Sequence, residues 1–366
     1  MSVVPGSLYG NMVITNCVLI AIIAVILFRI TSFYLKSLFG GFLLTLFYVV
    51  SPPILLNAAY PFYVIAASLG YACIVYSFFV LNEKPKYSLA LFLFSITYLY
   101  FLRSSFSLPA AIVLSCVYIY FARKNLPKLR LALFFTIGFS VMLSLPIKNY
   151  LLYGFFGTTS GYTINLVMAF NIKTPLGPFP HGDLIRSTYP DLKCKYSYVP
   201  ADTLPGKANG EPNMNSCYYF EYGKAQMQRV IEGYSINTHL RNIGRNIAAY
   251  FDTSEGYHFL FNRDQISTYT FAVNILFLTL FFKFHQTRLL CVGLFFFLCT
   301  KVYRERQYFP SVLLFIFVLH FFAHVLTDGA ESRRHVVEVE FIFYIIIAFA
   351  IEGIRQRYFS RKSIAS

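Results

Sequence analysis

Residues 154–265 form a polar block inside a chain that is otherwise apolar from end to end. This asymmetry narrows the folds open to the chain. A span facing lipid satisfies its own backbone and carries few polar side chains, so most polar chemistry has to sit in the block or at the ends of spans. Nine of the 16 acidic residues fall inside the block, against ten Lys and Arg, so it is nearly neutral. The rest of the chain holds 21 basic and seven acidic residues and carries nearly all of the +15 charge. There, Lys and Arg mostly punctuate apolar runs, which is how orientation is written into a membrane sequence. The basic balance therefore gives no argument for a nucleic-acid partner.

Hydrophobic residues make up 57% of the chain and charged residues 13%, with a mean hydropathy of +0.57. Soluble domains carry about 25% charge, so the composition predicts an all-α polytopic membrane protein. Apolar runs predict nine transmembrane helices, at about 11–28, 38–55, 60–81, 88–102, 108–122, 131–152, 267–283, 309–326 and 340–354. The tenth apolar run, LLCVGLFFFLCT at 289–300, rises only about 18 Å as a helix, against a hydrocarbon core near 30 Å. It lies between two basic loops, 283–288 and 301–306, and reads as a short re-entrant or interfacial segment. The first span is not a cleavable leader by pattern, because no Lys or Arg precedes Arg29.

Nine crossings place the N-terminus outside and the basic tail with Arg355, Arg357, Arg361 and Lys362 in the cytoplasm. Of the 21 basic residues beyond the block, only Arg103, Lys148, Arg333 and Arg334 then lie outside, as the positive-inside rule requires. The expected organisation is N-terminal membrane helices over 1–153, an extracytoplasmic loop subdomain over 154–265, and C-terminal membrane helices over 266–366. The membrane is the bacterial inner membrane or the endoplasmic reticulum.

Within the block, 154–182 is rich in Gly, Thr, Pro and Asn and reads as irregular, and 183–216 is polar and turn-rich. Helical spacing returns afterwards and predicts helices at about 219–233 and 236–251, the second with Ser235 as N-cap. Ile236, Leu240, Ile243, Ile247 and Phe251 share one stripe of that helix. The stripe fits either the outer membrane surface or ordinary packing in a small subdomain. Cys194 and Cys217 both fall in the external loop and would pair as a disulfide in an oxidising compartment. No zinc-type CxxC pair, P-loop, GxGxxG or GxSxG is present. No cofactor is evident, and the spacing of Cys and His gives no support for a divalent metal.

Basic residues at the outer face run against the orientation rule and call for a reason. Arg103, Lys148 and the cluster Arg333, Arg334 and His335 are expected at one depth on one side, where they suit a shared anionic lipid phosphate. The alternative is that each reaches the interface separately or pairs with Glu331, Glu338 or Glu340. Glu338 and Glu340 abut the last span, where a carboxylate needs a partner, and Arg333 or Arg334 is a candidate. His320 and His324 are one turn apart and share a helix face. They either line a site or relay protons, or simply hydrogen-bond within a helix bundle, the commoner case.

Several segments together resemble a family. LPIKNYLLYGFF at 145–156 resembles the exit from a middle span in the C-type (GT-C) membrane glycosyltransferase superfamily, which includes the protein O-mannosyltransferases and the lipid A aminoarabinose transferase. TTSGYTINL at 158–166 is similar to the Ser/Gly-rich turn that follows in many members. The paired helices of 222–254 with their AYFDTS ending, AESRRH at 330–335 before the last span, and SPPILL at 51–56 resemble further segments in the same order. The resemblance covers about residues 35–355. It implies transfer of a sugar from a polyprenyl- or dolichyl-phosphate donor on the extracytoplasmic face. Lys148, Arg333 and Arg334 are the positions matching the donor-phosphate contacts.

The resemblance also implies a carboxylate in a first external loop, yet no Asp or Glu precedes Glu83. A first span and its acidic loop are therefore expected to be missing. A longer chain, a protein partner, or Asp183 or Glu331 would supply the carboxylate, or the chain is a non-catalytic lipid-binding subunit. Among other classes, a polysaccharide polymerase or ligase would draw attention to Arg241 and Arg245. A transporter would require ionisable residues deep within spans and internal repeats.

Overall fold

The computed structural model describes residues 8–59, 63–102, 106–153, 156–157, 232, 235–251, 293, 297, 299–300, 308–327 and 336–365. Among these residues every regular element is helical. In chain order they are α1 (Leu8–Leu35), α2 (Leu38–Val49), α3 (Pro52–Ala59), α4 (Val64–Phe79), α5 (Pro85–Leu102), α6 (Leu108–Ala122), α7 (Lys128–Tyr153), α8 (Ile236–Phe251), α9 (Tyr308–Thr327), a 3-10 turn (Val336–Val339) and α10 (Glu340–Ala365). Among the described residues four stretches, Gly10–Leu35, Pro85–Leu102, Lys128–Leu151 and Tyr308–Val325, are long and apolar enough to cross a membrane. Three shorter helices, α2, α4 and α6, are also apolar. The expected span at 267–283 lies outside the described residues, as does all but Glu232 of the helix expected at about 219–233.

The α1–α2 turn is built from local rules. Lys36, at φ 50°, takes the left-handed conformation that ends a helix. Ser37 then caps α2, its Oγ accepting from the Gly40 N–H at 3.1 Å. The two helices close at Gly41, where a Cβ would lie 2.9 Å from the Ser32 Cα. Gly41→Val should therefore overpack this hairpin and cost about 1–3 kcal/mol, read as a lower unfolding midpoint of the detergent-solubilised chain. An unchanged midpoint would show that α1 and α2 part freely at this point.

The run expected as one span over 38–55 is two helices in the structure. Ser51 precedes Pro52, and a residue before proline is pushed out of the α region. The Val50 N–H closes α2 on Leu46 O at 2.9 Å, and the Leu55 N–H opens α3 on Ser51 O at 3.0 Å. Pro52, lacking an N–H, is well suited to the first helical position. The break turns Ser51 toward the interior, where it is 1% exposed.

α4 is the centre of the core. It packs on α1, α5, α9 and the 3-10 turn, and buries residues on nearly all sides, including Ile65, Ala72, Ile74 and Phe78. A helix apolar all round is what such a position requires. At Gly70 a Cβ would lie 2.6 Å from Leu99, so the missing side chain lets α4 and α5 meet closely. α10 packs on α1 and α2, and α7 packs on α5 and α6. Pro146 sits inside α7.

The two ends of the bundle differ chemically. At one, the Arg29 Nη1 donates to Tyr76 OH at 3.0 Å, Tyr308 OH donates to Phe78 O at 2.9 Å, and Asn125 Nδ2 donates to Asn82 Oδ1 at 3.0 Å. Tyr34 stacks on Phe309 there and meets Phe349 edge-on. The turns gathered at this end carry Lys36, Lys84, Arg123 and Lys124. At the other, the Asn16 Nδ2 donates to Ala58 O at 3.2 Å, and Tyr344 OH donates to Phe47 O at 3.3 Å. That end gathers Asn16, Ser51, Glu338 and Glu340.

α8 starts directly after Ser235, whose carbonyl accepts from the His239 N–H at 3.0 Å. It docks on α9 through its carboxamides: Asn242 and Asn246 are buried, and Asn246 Nδ2 donates to Val325 O at 3.0 Å. Of the predicted apolar stripe, Ile243 packs against the core while Ile236, Leu240 and Ile247 are exposed. Hydrophobic spacing found the helix, but the carboxamides flanking the stripe make the anchoring bond.

Candidate functional site

The polar end of the bundle converges on four ionisable side chains. α9 begins in an apolar run whose one proline, Pro310, falls in the first turn, where no backbone donor is lost. The uninterrupted helix that follows puts His320 and His324 on one face. Their rings lie 4.4 Å apart and are tilted by 52°. The 3-10 turn Val336–Val339 then buries Val337 and Val339 together with Glu338. The Glu338 Oε2 lies 3.5 Å from His320 Nε2, both side chains being fully buried. That separation is longer than an ordinary N–H···O bond of about 2.7–3.2 Å. Across the cluster, two imidazole nitrogens and one carboxylate oxygen lie within 4.8 Å of one another.

Glu340 completes the group from the first position of α10, where a carboxylate also meets the positive end of the helix dipole. Its Oε1 accepts from the Ser51 hydroxyl at 2.9 Å, across 289 residues of chain. Helix breaking at Ser51-Pro52 therefore has a chemical result: it delivers a hydrogen-bond donor to a buried carboxylate. Tyr71 of α4 closes one side, its ring edge-on to His320 at 5.1 Å, with Phe106 behind it. The Tyr48 ring packs edge-on against Tyr344 beside the Ser51–Glu340 bond. The arrangement can exchange protons, bind a cation, or hold a carboxylate ready against a polar substrate.

No family model, no curated protein and no solved structure matches the chain.

The residues expected to carry function divide into two groups. Asp183, Glu331, Arg103, Arg333, Arg334 and His335, with Cys194 and Cys217, lie outside the described residues. Lys148 is described, and it is exposed near the end of α7. Its neighbour Asn149 is buried and donates from Nδ2 to Gly157 O at 2.7 Å, tying the chain that leaves α7 back onto the helix end. Sequence reading proposed Arg333 or Arg334 as partner for Glu338 and Glu340. Among the described residues, Glu338 faces His320 and Glu340 is held by Ser51. Ser51 is the site residue that reading missed. Its sequence signal was a small hydroxyl before a Pro-Pro pair, at the head of the SPPILL segment.

Proposed function

We propose that the chain is a membrane glycosyltransferase of C type, or a degenerate member of that superfamily, acting on a sugar carried by a polyprenyl or dolichyl phosphate. The observation that carries this reading is the pair of buried carboxylates, Glu338 and Glu340, within seven residues of the basic pair Arg333-Arg334. Glycosyl transfer to a hydroxyl requires both functions. The acceptor oxygen attacks the anomeric carbon, the bond to the lipid phosphate breaks, and a carboxylate receives the hydroxyl proton. Arg333, Arg334 and Lys148 would hold the phosphate as its charge develops. Glu340 joins Asp183 and Glu331 as a candidate for the carboxylate.

The proposed topology retains nine crossings, with 154–265 outside and the C-terminus in the cytoplasm. The clustering of Lys36, Lys84, Arg123 and Lys124 at one end of the bundle supports it. Cysteine placed at position 124 should react with a membrane-impermeant thiol reagent only after the vesicle is opened from the cytoplasmic side. Labelling from outside would invert the assignment. The exposed Ile236, Leu240 and Ile247 of α8 fit a helix resting on the outer interface.

A transporter is the reading favoured by one specific observation, the buried His320–Glu338 pair bridging two elements. Depth agrees with it as well. His320 lies two to three residues from the middle of α9, about 4 Å at 1.5 Å per residue, and transporter sites cluster near the midplane. The phosphate-binding step is tested by binding of polyprenyl phosphate to the full chain in nanodiscs. The Arg333→Ala/Arg334→Ala double variant should bind at least about tenfold more weakly, as loss of charge-assisted bonds of about 1.5–3 kcal/mol each implies. Equal binding would remove these arginines from the site.

A further inference from the structure

We propose that His320, His324 and Glu338 bind one divalent transition-metal ion of the zinc class. The inference does not depend on glycosyl transfer, since it rests on the donor set alone. Two imidazoles one helical turn apart, joined by a carboxylate from a second element, form the three-ligand arrangement with which proteins hold zinc while leaving a fourth position open. Bond lengths of about 2.0–2.2 Å place tetrahedral donors roughly 3.3–3.6 Å apart. His320 Nε2 and Glu338 Oε2, at 3.5 Å, already have that spacing, and all three donors lie within 4.8 Å. Small side-chain rotations close the rest.

A proton in place of the metal accounts for less of this geometry. One protonated imidazole would neutralise Glu338 but would engage a single ring, whereas donor atoms of both rings and of the carboxylate lie within 4.8 Å of one another. Both rings charged at that distance would repel. A dication engages both neutral imidazoles and the carboxylate at once, which offsets the cost of burying Glu338. Two nitrogen donors disfavour magnesium and calcium, which prefer all-oxygen sites. All three donors are buried and the Tyr71 ring packs against His320, which keeps bulk water from competing.

The test uses the full chain purified in mild detergent, loaded with zinc and dialysed. Wild type should retain about one zinc per chain, and zinc but not magnesium should raise its unfolding temperature. The His324→Ala/Glu338→Gln double variant should bind zinc at least about tenfold more weakly, the minimum that even outer-shell losses cost at such sites. Cobalt(II) substitution of wild type reads the ligand type independently of whether the variant folds. The expected spectrum has d–d bands without a thiolate charge-transfer band. Wild type that neither retains zinc nor gains stability overturns the proposal. So does a double variant that binds as well as wild type, or a cobalt spectrum showing thiolate ligation.

Discussion

Replacing His320 with alanine should destabilise the bundle by about 3–5 kcal/mol, the cost of breaking a buried polar pair by removing one of its members. Glu338 is completely buried, and its oxygen lies 3.5 Å from the His320 ring. Removing that ring also opens a cavity beside Tyr71, which packs against it edge-on. A His320→Ala/Glu338→Leu double variant should recover a large part of the loss, because taking out both members of a buried polar pair removes the desolvation cost along with the interaction. Denaturant unfolding of chelator-treated protein in detergent, run as a full double-mutant cycle, measures this separately from any bound metal. Strict additivity of the two single changes would show that the side chains are energetically independent.

A loss of similar size should follow from Tyr118→Ala, at a place remote from the polar cluster. Tyr118 is fully buried, stacks on Phe92 at 4.1 Å between ring centres, and meets Phe78 edge-on at 5.3 Å. Deleting a buried aromatic ring costs about 3–5 kcal/mol when the walls cannot collapse, and a third ring, Phe135 at 6.4 Å, stiffens these walls. Tyr118→Phe provides the contrast. Its hydroxyl lies 2.7 Å from the Ser88 Oγ, but that oxygen also donates to Ser77 O at 2.7 Å. Ser88 keeps a partner without Tyr118, so Tyr118→Phe should cost no more than about 0.5–1.5 kcal/mol. Comparable losses in the two variants would assign the stability to the hydrogen bond instead of the ring.

Much of the fold is legible in the sequence because helix length and apolar content are local properties. The bounds of α5, α6, α7 and α9 fall within a few residues of the apolar runs that announce them. The break at Ser51 is also local, written in the Pro-Pro pair, yet a running count of apolar residues passes straight over it. α8 shows a different limit. Its apolar spacing identifies a helix, but an apolar stripe can face either protein or lipid. Here Asn242 and Asn246 do the docking, because a carboxamide can reach the Val325 carbonyl near the end of α9.

The candidate site was half legible for a related reason. His320 and His324 share a face by spacing alone, and Glu338 and Glu340 stand out as acids in an apolar setting. That Glu338 meets the histidines depends on how the 3-10 turn packs against α9. That Ser51 meets Glu340 depends on a contact between opposite ends of the chain. Neither contact has a periodicity or a motif to announce it.

Membrane glycosyl transfer is tested most directly in proteoliposomes holding the full chain, a polyprenyl-phosphate-linked sugar labelled in the sugar, and candidate acceptors. Solute flux is followed in parallel. The account predicts consumption of the lipid-linked sugar by wild type, loss of that activity in Arg333→Ala/Arg334→Ala with the fold retained, and no flux. Solute movement across the membrane with the lipid-linked sugar left intact would contradict it.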